Sequence, residues 1–259
     1  MSITKDNVSR RKLLKIAVPT AIGSLLGVPV LSSANQQNKT EPRQKLKIIV
    51  FGAHPDDPET GCGGTMALLA NEGHEVISAY LTRGEAGIKG VSYDEAARIR
   101  TAEALEACEI LNAKPRFLGQ IDGNCEVTKE HYKTISDFFE EEKPDIVFNH
   151  WPIDRHRDHR ACSILVYDAW YNLGQKSVMY YYEVMSGRQS QNFKPTDYVD
   201  ITPVIDQKHK ACYEHKSQEP EKWYQESHGQ MEIFRGLEYR TQYAEAFVRH
   251  VQSPSSLII

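Results

Sequence analysis

From Leu46 onward the chain alternates short apolar runs with longer segments of helical period. Ile48 to Phe51 is continuously apolar, as expected of a strand buried on both faces, and Thr65 to Asn71 reads as the helix after it, closed by Gly73. A second strand follows at Glu75 to Thr82. Ala97, Thr101, Ala104, Cys108 and Leu111 then recur at spacings of four and three, one face of a helix from Tyr93 to Asn112. The run Pro-Arg-Phe-Leu-Gly beginning at Pro115 is a third strand, Thr128 to Glu142 a further helix, and Asp145 to His150 a fourth strand that ends in histidine. Tyr180 to Ile259 holds one or two more strands and two helices. In its Tyr243-Ala-Glu-Ala-Phe247 segment, the two aromatic rings stand four apart, as on a buried helix face. Alternation of this kind predicts one α/β domain, Rossmann-like, with a mostly parallel sheet flanked by helices.

Residues 1–34 break the pattern. A basic start is followed by an apolar stretch from Ile16 to Leu31 and small residues before Asn35, the layout of an export signal, with cleavage expected after Ala34. Arg10 and Arg11 resemble the twin-arginine signal, so export to the periplasm or beyond is expected. The stretch is short for a spanning helix and interrupted by Pro19 and Pro29, which argues against a stable membrane anchor. Residues 35–45 read as a linker and 46–259 as the domain. Removing the signal takes away five basic side chains and one acidic one, leaving 26 against 34 and a net charge of −8, so nucleic acid is not an expected partner. The five cysteines form no CxxC pair and are odd in number; they signal no zinc ribbon and no complete disulfide framework, though one disulfide remains possible.

In an open α/β sheet, ligands bind beyond the carboxyl ends of the strands. His54, Arg83, Asp122 and His150 all fall at such ends. The first strand runs into Gly52-Ala-His54-Pro-Asp56-Asp57, which lacks the G-x-G-x-x-G of a dinucleotide loop. It offers an imidazole and a carboxylate three residues apart, half of a metal site with nitrogen and oxygen donors. The other half lies about a hundred residues on, where His156 and His159 straddle Asp158 at the start of a predicted helix. Together they supply two histidines and a carboxylate, the set of a catalytic zinc site with an open position. His150 reads as a hydrogen-bonded strand-end residue, and His74, His131, His209, His215 and His250 as solvated.

These two motifs, with Thr82-Arg-Gly-Glu-Ala-Gly87 and Tyr243 to Phe247, resemble the LmbE and PIG-L family of zinc-dependent N-acetylglucosamine deacetylases over most of the chain. The resemblance implies that His54, Asp57 and His159 bind Zn2+, for which other divalent ions can substitute. It implies that Asp56 is the general base, that His156 stabilises the oxyanion, and that Asp158 tunes His156. Arg83 and Glu85 are then candidates for sugar contact, and Asp122 for hydroxyl recognition. The expected reaction is removal of acetyl from an N-acetylglucosamine-type sugar or conjugate, a small-molecule or glycoconjugate substrate. The alternatives are the same chemistry on another N-acyl compound and a non-catalytic sugar-binding protein. In the latter, a base beside a metal ligand has no use.

Overall fold

The computed structural model describes residues 45–255, so the export signal and most of the linker lie outside the described residues. Seven strands form one sheet in the order β3-β2-β1-β4-β5-β7-β6. The central members are β1 (Lys47–Gly52), β2 (Glu75–Tyr80), β3 (Lys114–Phe117), β4 (Ile146–His150) and β5 (Val178–Tyr182), all parallel. At one edge β7 (Ala244–Arg249) runs antiparallel between β5 and β6 (Asp197–Asp200). The predicted α/β class and mostly parallel sheet are what the chain adopts.

The sheet separates two apolar cores. Ile48 and Val50 point into one, with Met66 and Leu69 of α1 (Asp57–Asn71), Ala107 of α2 (Tyr93–Ile110) and Ala211 of α5 (Ile205–Tyr213). Ile49 and Phe51 point into the other, against Phe138 and Phe139 of α3 (Lys129–Glu142) and Leu165 and Trp170 of α4 (Arg157–Asn172). This alternation of successive residues between faces is the period of a strand covered on both sides. After β1 the chain moves to β2 and β3 on one side, then returns to place β4 on the other side of β1. The helices following β1 and β4 therefore cover opposite faces, and a crevice opens between their first turns. The last helix, α6 (His228–Tyr239), closes one side of that crevice. Among the described residues no helix is long and apolar enough to cross a membrane.

Two expected elements differ. The first helix begins at Asp57 rather than Thr65, because Pro58 sits in its first turn, where a missing N–H costs nothing, and the glycines lie inside it. Gly61 is there for close approach: a Cβ would stand 2.3 Å from the ring of Tyr182 in β5. The Tyr243–Phe247 segment is not helix: from Ala244 it runs in strand β7. Rings four apart suit both a helix face and alternate strand positions, and pairing with β5 and β6 decides between them. All five cysteines are free thiols, so the disulfide that their number allowed is not formed. His215, expected to be solvated, is 1% exposed.

Candidate active site

The loop leaving β1 delivers His54 and Asp57 to the floor of the crevice. Asp57, the first residue of α1, accepts the His54 backbone N–H at 2.8 Å, which fixes its carboxylate beside the ring. Asp57 Oδ2 lies 3.3 Å from His54 Nδ1 and 3.3 Å from His150 Nε2, and Oδ1 lies 3.2 Å from His159 Nε2. One carboxylate thus stands among three imidazoles. Burial raises its pKa, but the charges of His159 and His150 reverse that and hold the carboxyl well below its ordinary range.

The loop after β4 brings the second half-site. His156 is the N-cap of α4, and its Nδ1 accepts the Asp158 N–H at 3.3 Å. That bond leaves the ring proton on Nε2 when the imidazole is neutral. Burial, followed by the charges of His54 and His159, lowers the His156 pKa and favours the neutral form. His159, one turn into α4, faces Asp57 through Nε2 and Asp154 through Nδ1, 3.4 Å from Asp154 Oδ1. Its pKa rises to about 9: burial opposes the shift, and Asp57 and Asp154 outweigh burial.

His54 is held at its far nitrogen as well. Nε2 stands 3.1 Å from Asp122 Oδ1 and 3.3 Å from Asp158 Oδ2. Such outer carboxylates fix the tautomer and leave the Nδ1 lone pair, on the Asp57 side of the ring, available to a cation. His54 Nδ1 and His159 Nε2 each face an oxygen of Asp57, and both imidazoles are backed by carboxylates, a donor chemistry suited to a divalent cation. Among the described residues three overlapping triads have donor atoms within 4.8 Å, namely His54-His156-His159, Asp57-His150-His159 and His54-Asp122-Asp158. His159 belongs to two of them, and Asp57 bridges it to His54.

Asp56 faces elsewhere. Its Oδ2 accepts from Arg100 Nη2 at 2.8 Å, and the same guanidinium nitrogen bonds the Pro55 carbonyl. Burial raises the Asp56 pKa, Arg100 opposes the rise and Asp57 adds to it; the balance is upward, toward the range useful to a base. Gly84 makes room for this arginine. Its φ is +74°, and a Cβ would lie 2.5 Å from Arg100 Cδ, which gives the glycine of the Thr82–Gly87 motif a physical reason. Above these groups is a cavity of about 760 Å³, rimmed by Arg188, Gln218, Trp223 and His228.

The structure thus gathers His54, Asp56, Asp57, His156 and His159 on one floor. Three expected placements differ. Asp158 turns its Oδ2 to His54 and to the Gly123 N–H at 2.7 Å, so it orients a ligand candidate, while its charge also acts to raise the His156 pKa. Glu85 is buried and accepts the backbone N–H groups of Arg83 and Asp122, holding the loop, while Arg83 is half-exposed outside the cavity wall. Asp122 does line the cavity, but one oxygen faces His54 and the other accepts the Ala86 N–H. Sequence reasoning passed over Arg100 and gave Asp154 no role, whereas His150 is the hydrogen-bonded strand-end residue it was read as. Arg100 had a signal, a charge on the apolar stripe of a helix. His150 accepts the Ala53 N–H at 3.0 Å, and burial lowers its pKa to about 4, so its role is to fix the loop behind Asp57.

Known proteins resemble this chain in sequence and fold. The sequence profile of PIG-L, described as GlcNAc-PI de-N-acetylase, matches residues 49–170. Diacetylchitobiose deacetylase of Thermococcus kodakarensis is 31% identical over 190 residues, covering 68% of this chain and 71% of that protein. The 4-oxalmesaconate hydratase of Pseudomonas putida is 27% identical over 196 residues, covering 68% and 75%. The structure of N,N'-diacetylchitobiose deacetylase from Pyrococcus horikoshii, complexed with its inhibitor, matches with a TM-score of 0.70 at 27% identity, covering 82% of this chain and 88% of that one. By sequence profile, by close relatives and by fold, the chain belongs to the PIG-L (GlcNAc-PI de-N-acetylase) family.

Proposed function

We propose that the protein is a zinc-dependent N-deacetylase of an N-acetylglucosamine-type sugar, with His54, Asp57 and His159 as the metal ligands. The observation that carries this reading is the division of labour within Asp56-Asp57: one carboxylate is committed to imidazoles, and its neighbour is turned away from them, partly open to the cavity and shifted upward in pKa. A divalent cation held by the three ligands supplies Lewis acidity, lowering the pKa of water at the site toward about 7 and polarising an acyl oxygen.

The chain's own groups do the rest. Asp56 accepts the proton of the attacking water as its oxygen bonds to the amide carbon. Negative charge then gathers on the former carbonyl oxygen, where the His156 Nε2–H can donate. Asp56 returns the proton to the sugar nitrogen, the C–N bond breaks, and acetate and a free amine leave. Asp122, Asp154 and Asp158 hold the two ligand imidazoles in register throughout.

The test is metal content together with acetate and amine release from a panel of N-acetylglucosaminides and other N-acyl sugars. Acetate release in step with bound zinc supports the reading. Product assay matters because a relative named as a hydratase shares the fold: turnover without acetate or amine from any N-acyl compound overturns it. We also propose that residues 1–34 form a cleaved twin-arginine-type signal, on the strength of the paired arginines before a short apolar run. Arg10→Lys with Arg11→Lys is expected to trap precursor in the cytoplasm, and mature protein outside the cytoplasm in that variant overturns the assignment.

A further inference from the structure

Asp56 is in a conformation that its residue type disfavours. Its φ is 110° and ψ −29°, in the left-handed region, which strains a residue that carries a Cβ. Such a conformation persists only where surrounding groups hold it. Three contacts hold this one: Thr60 N–H bonds the Asp56 carbonyl at 2.9 Å, Arg100 bonds the carboxylate, and the Asp56 N–H donates to Glu59 Oε2 at 3.1 Å. The first is an ordinary helix bond. The second grips the group that must handle a proton.

The third contact comes from a carboxylate with no other evident task. Glu59 is fully buried, does not line the cavity and is not among the donor triads. Its other oxygen accepts from the hydroxyls of Tyr80 and, at 3.3 Å, Ser78, and His215 Nε2 stands 3.5 Å from Oε2. Burying a carboxylate is costly unless its bonds are made, and here they lock the side chain so that Oε2 accepts the Asp56 N–H with the His215 ring beside it.

We propose that Glu59 is the positioning residue for Asp56: by bonding its N–H it holds the left-handed turn that points Asp56 toward Arg100 and the cavity while Asp57 turns toward the imidazoles. The proposal rests on the reading of Asp56 as the base. A residue that only caps α1 would contribute to stability and nothing to turnover. A positioning residue instead changes kcat with little change in KM, since a displaced group costs rate while the binding surface remains.

The experiment compares Glu59→Met with Glu59→Gln in the metal-loaded mature protein. Methionine fills the space without an oxygen to accept from Asp56; glutamine keeps an acceptor there and can turn its amide toward Tyr80. Glu59→Met is expected to lose roughly 10- to 100-fold in kcat, with KM within about threefold and metal content unchanged, and Glu59→Gln to recover most of the loss. A crystal structure of Glu59→Met is expected to show Asp56 out of the positive-φ region. Wild-type kcat in Glu59→Met, an equal loss in Glu59→Gln, or an unchanged Asp56 φ would each overturn the proposal. Should Glu59→Met fail to fold, Tyr80→Phe loosens the same carboxylate from its far side; a severalfold fall in kcat at constant KM supports the proposal, and unchanged kcat overturns it. The Asp56 φ judges Glu59 independently of turnover, whereas an active Asp56→Asn defeats only the assignment of the base.

Discussion

Two buried clusters of charge lie within this fold, and they are built differently. Behind α1, Lys208 is 1% exposed and pairs with Glu232 at 2.9 Å and Glu245 at 2.8 Å. Glu245 also accepts Gly64 N–H and Thr65 N–H at 2.8 Å and the Thr65 hydroxyl at 2.6 Å, and Glu232 takes Tyr224 Oη and His209 Nε2 at 2.7 Å. At the crevice floor, the contacts between imidazoles and carboxylates are 3.1 to 3.4 Å. The first cluster has spent its bonding capacity on itself. The second stands slightly apart, its donors facing one another, with capacity left for a guest ion. Burial and charge alone do not mark a working site; unspent coordination does.

The largest effects should come from the open cluster. His54→Ala, Asp57→Asn and His159→Ala are each expected to abolish bound metal and activity while unfolding remains cooperative, as metal analysis and urea titration would report. Stoichiometric metal in any one of them removes that residue from the ligand set. Asp56→Asn should keep its metal and lose roughly 10²- to 10⁴-fold in kcat, the range of a general base.

The closed cluster should respond in stability instead. Lys208→Met strands two buried carboxylates and is expected to cost about 3–5 kcal/mol by urea denaturation, with metal per folded molecule unchanged. A cost below about 1 kcal/mol would mean that the two carboxylates find other partners.

Acid sharpens the contrast. Burial raises the Glu232 pKa, but Lys208 and His209 outweigh it and bring the carboxyl down from 4.5 to about 2. A depressed folded-state value means that the contribution is fully present above pH about 4.5 and is lost as pH falls toward about 2. The urea midpoint should therefore decline over that window, and the slope should weaken in Glu232→Gln. An identical slope in the variant would assign the acid sensitivity to other carboxylates. The smallest effect belongs to Arg83→Ala. Its contact with Glu85 is 3.6 Å long and half-exposed, so stability should change by less than about 0.5 kcal/mol and KM by less than about twofold. A tenfold rise in KM would return Arg83 to the substrate.

Much of this was legible in the sequence because it is local. Apolar runs gave β1, β2 and β4, and His54, Asp57, His156 and His159 stood at strand and helix ends where ligands gather. What could not be read depends on contacts between distant segments. Asp158 is two residues from His156 in the chain, yet its Oδ2 answers to His54, on another strand's loop. Glu85 sits in a motif that looks exposed, but two backbone N–H groups draw it inward. The Tyr243–Phe247 spacing fits two periods equally, and only its neighbours in the sheet choose. Pro58 hid the start of α1 because proline is tolerated in a first helical turn and forbidden later.

The placement of β4 beside β1 has a consequence for the life of the molecule. His54 and Asp57 follow one strand and His159 the other, about a hundred residues later, so the proposed ligand set exists only once that long-range pairing has formed. A cation bound there is a ligand of the native state alone. By mass action it adds about 2.7 kcal/mol to the unfolding free energy when its free concentration is a hundred times its Kd. Metal supply thus sets not only how fast the protein works but how much of it survives proteolysis, and starvation for the ion would show first as shortened half-life.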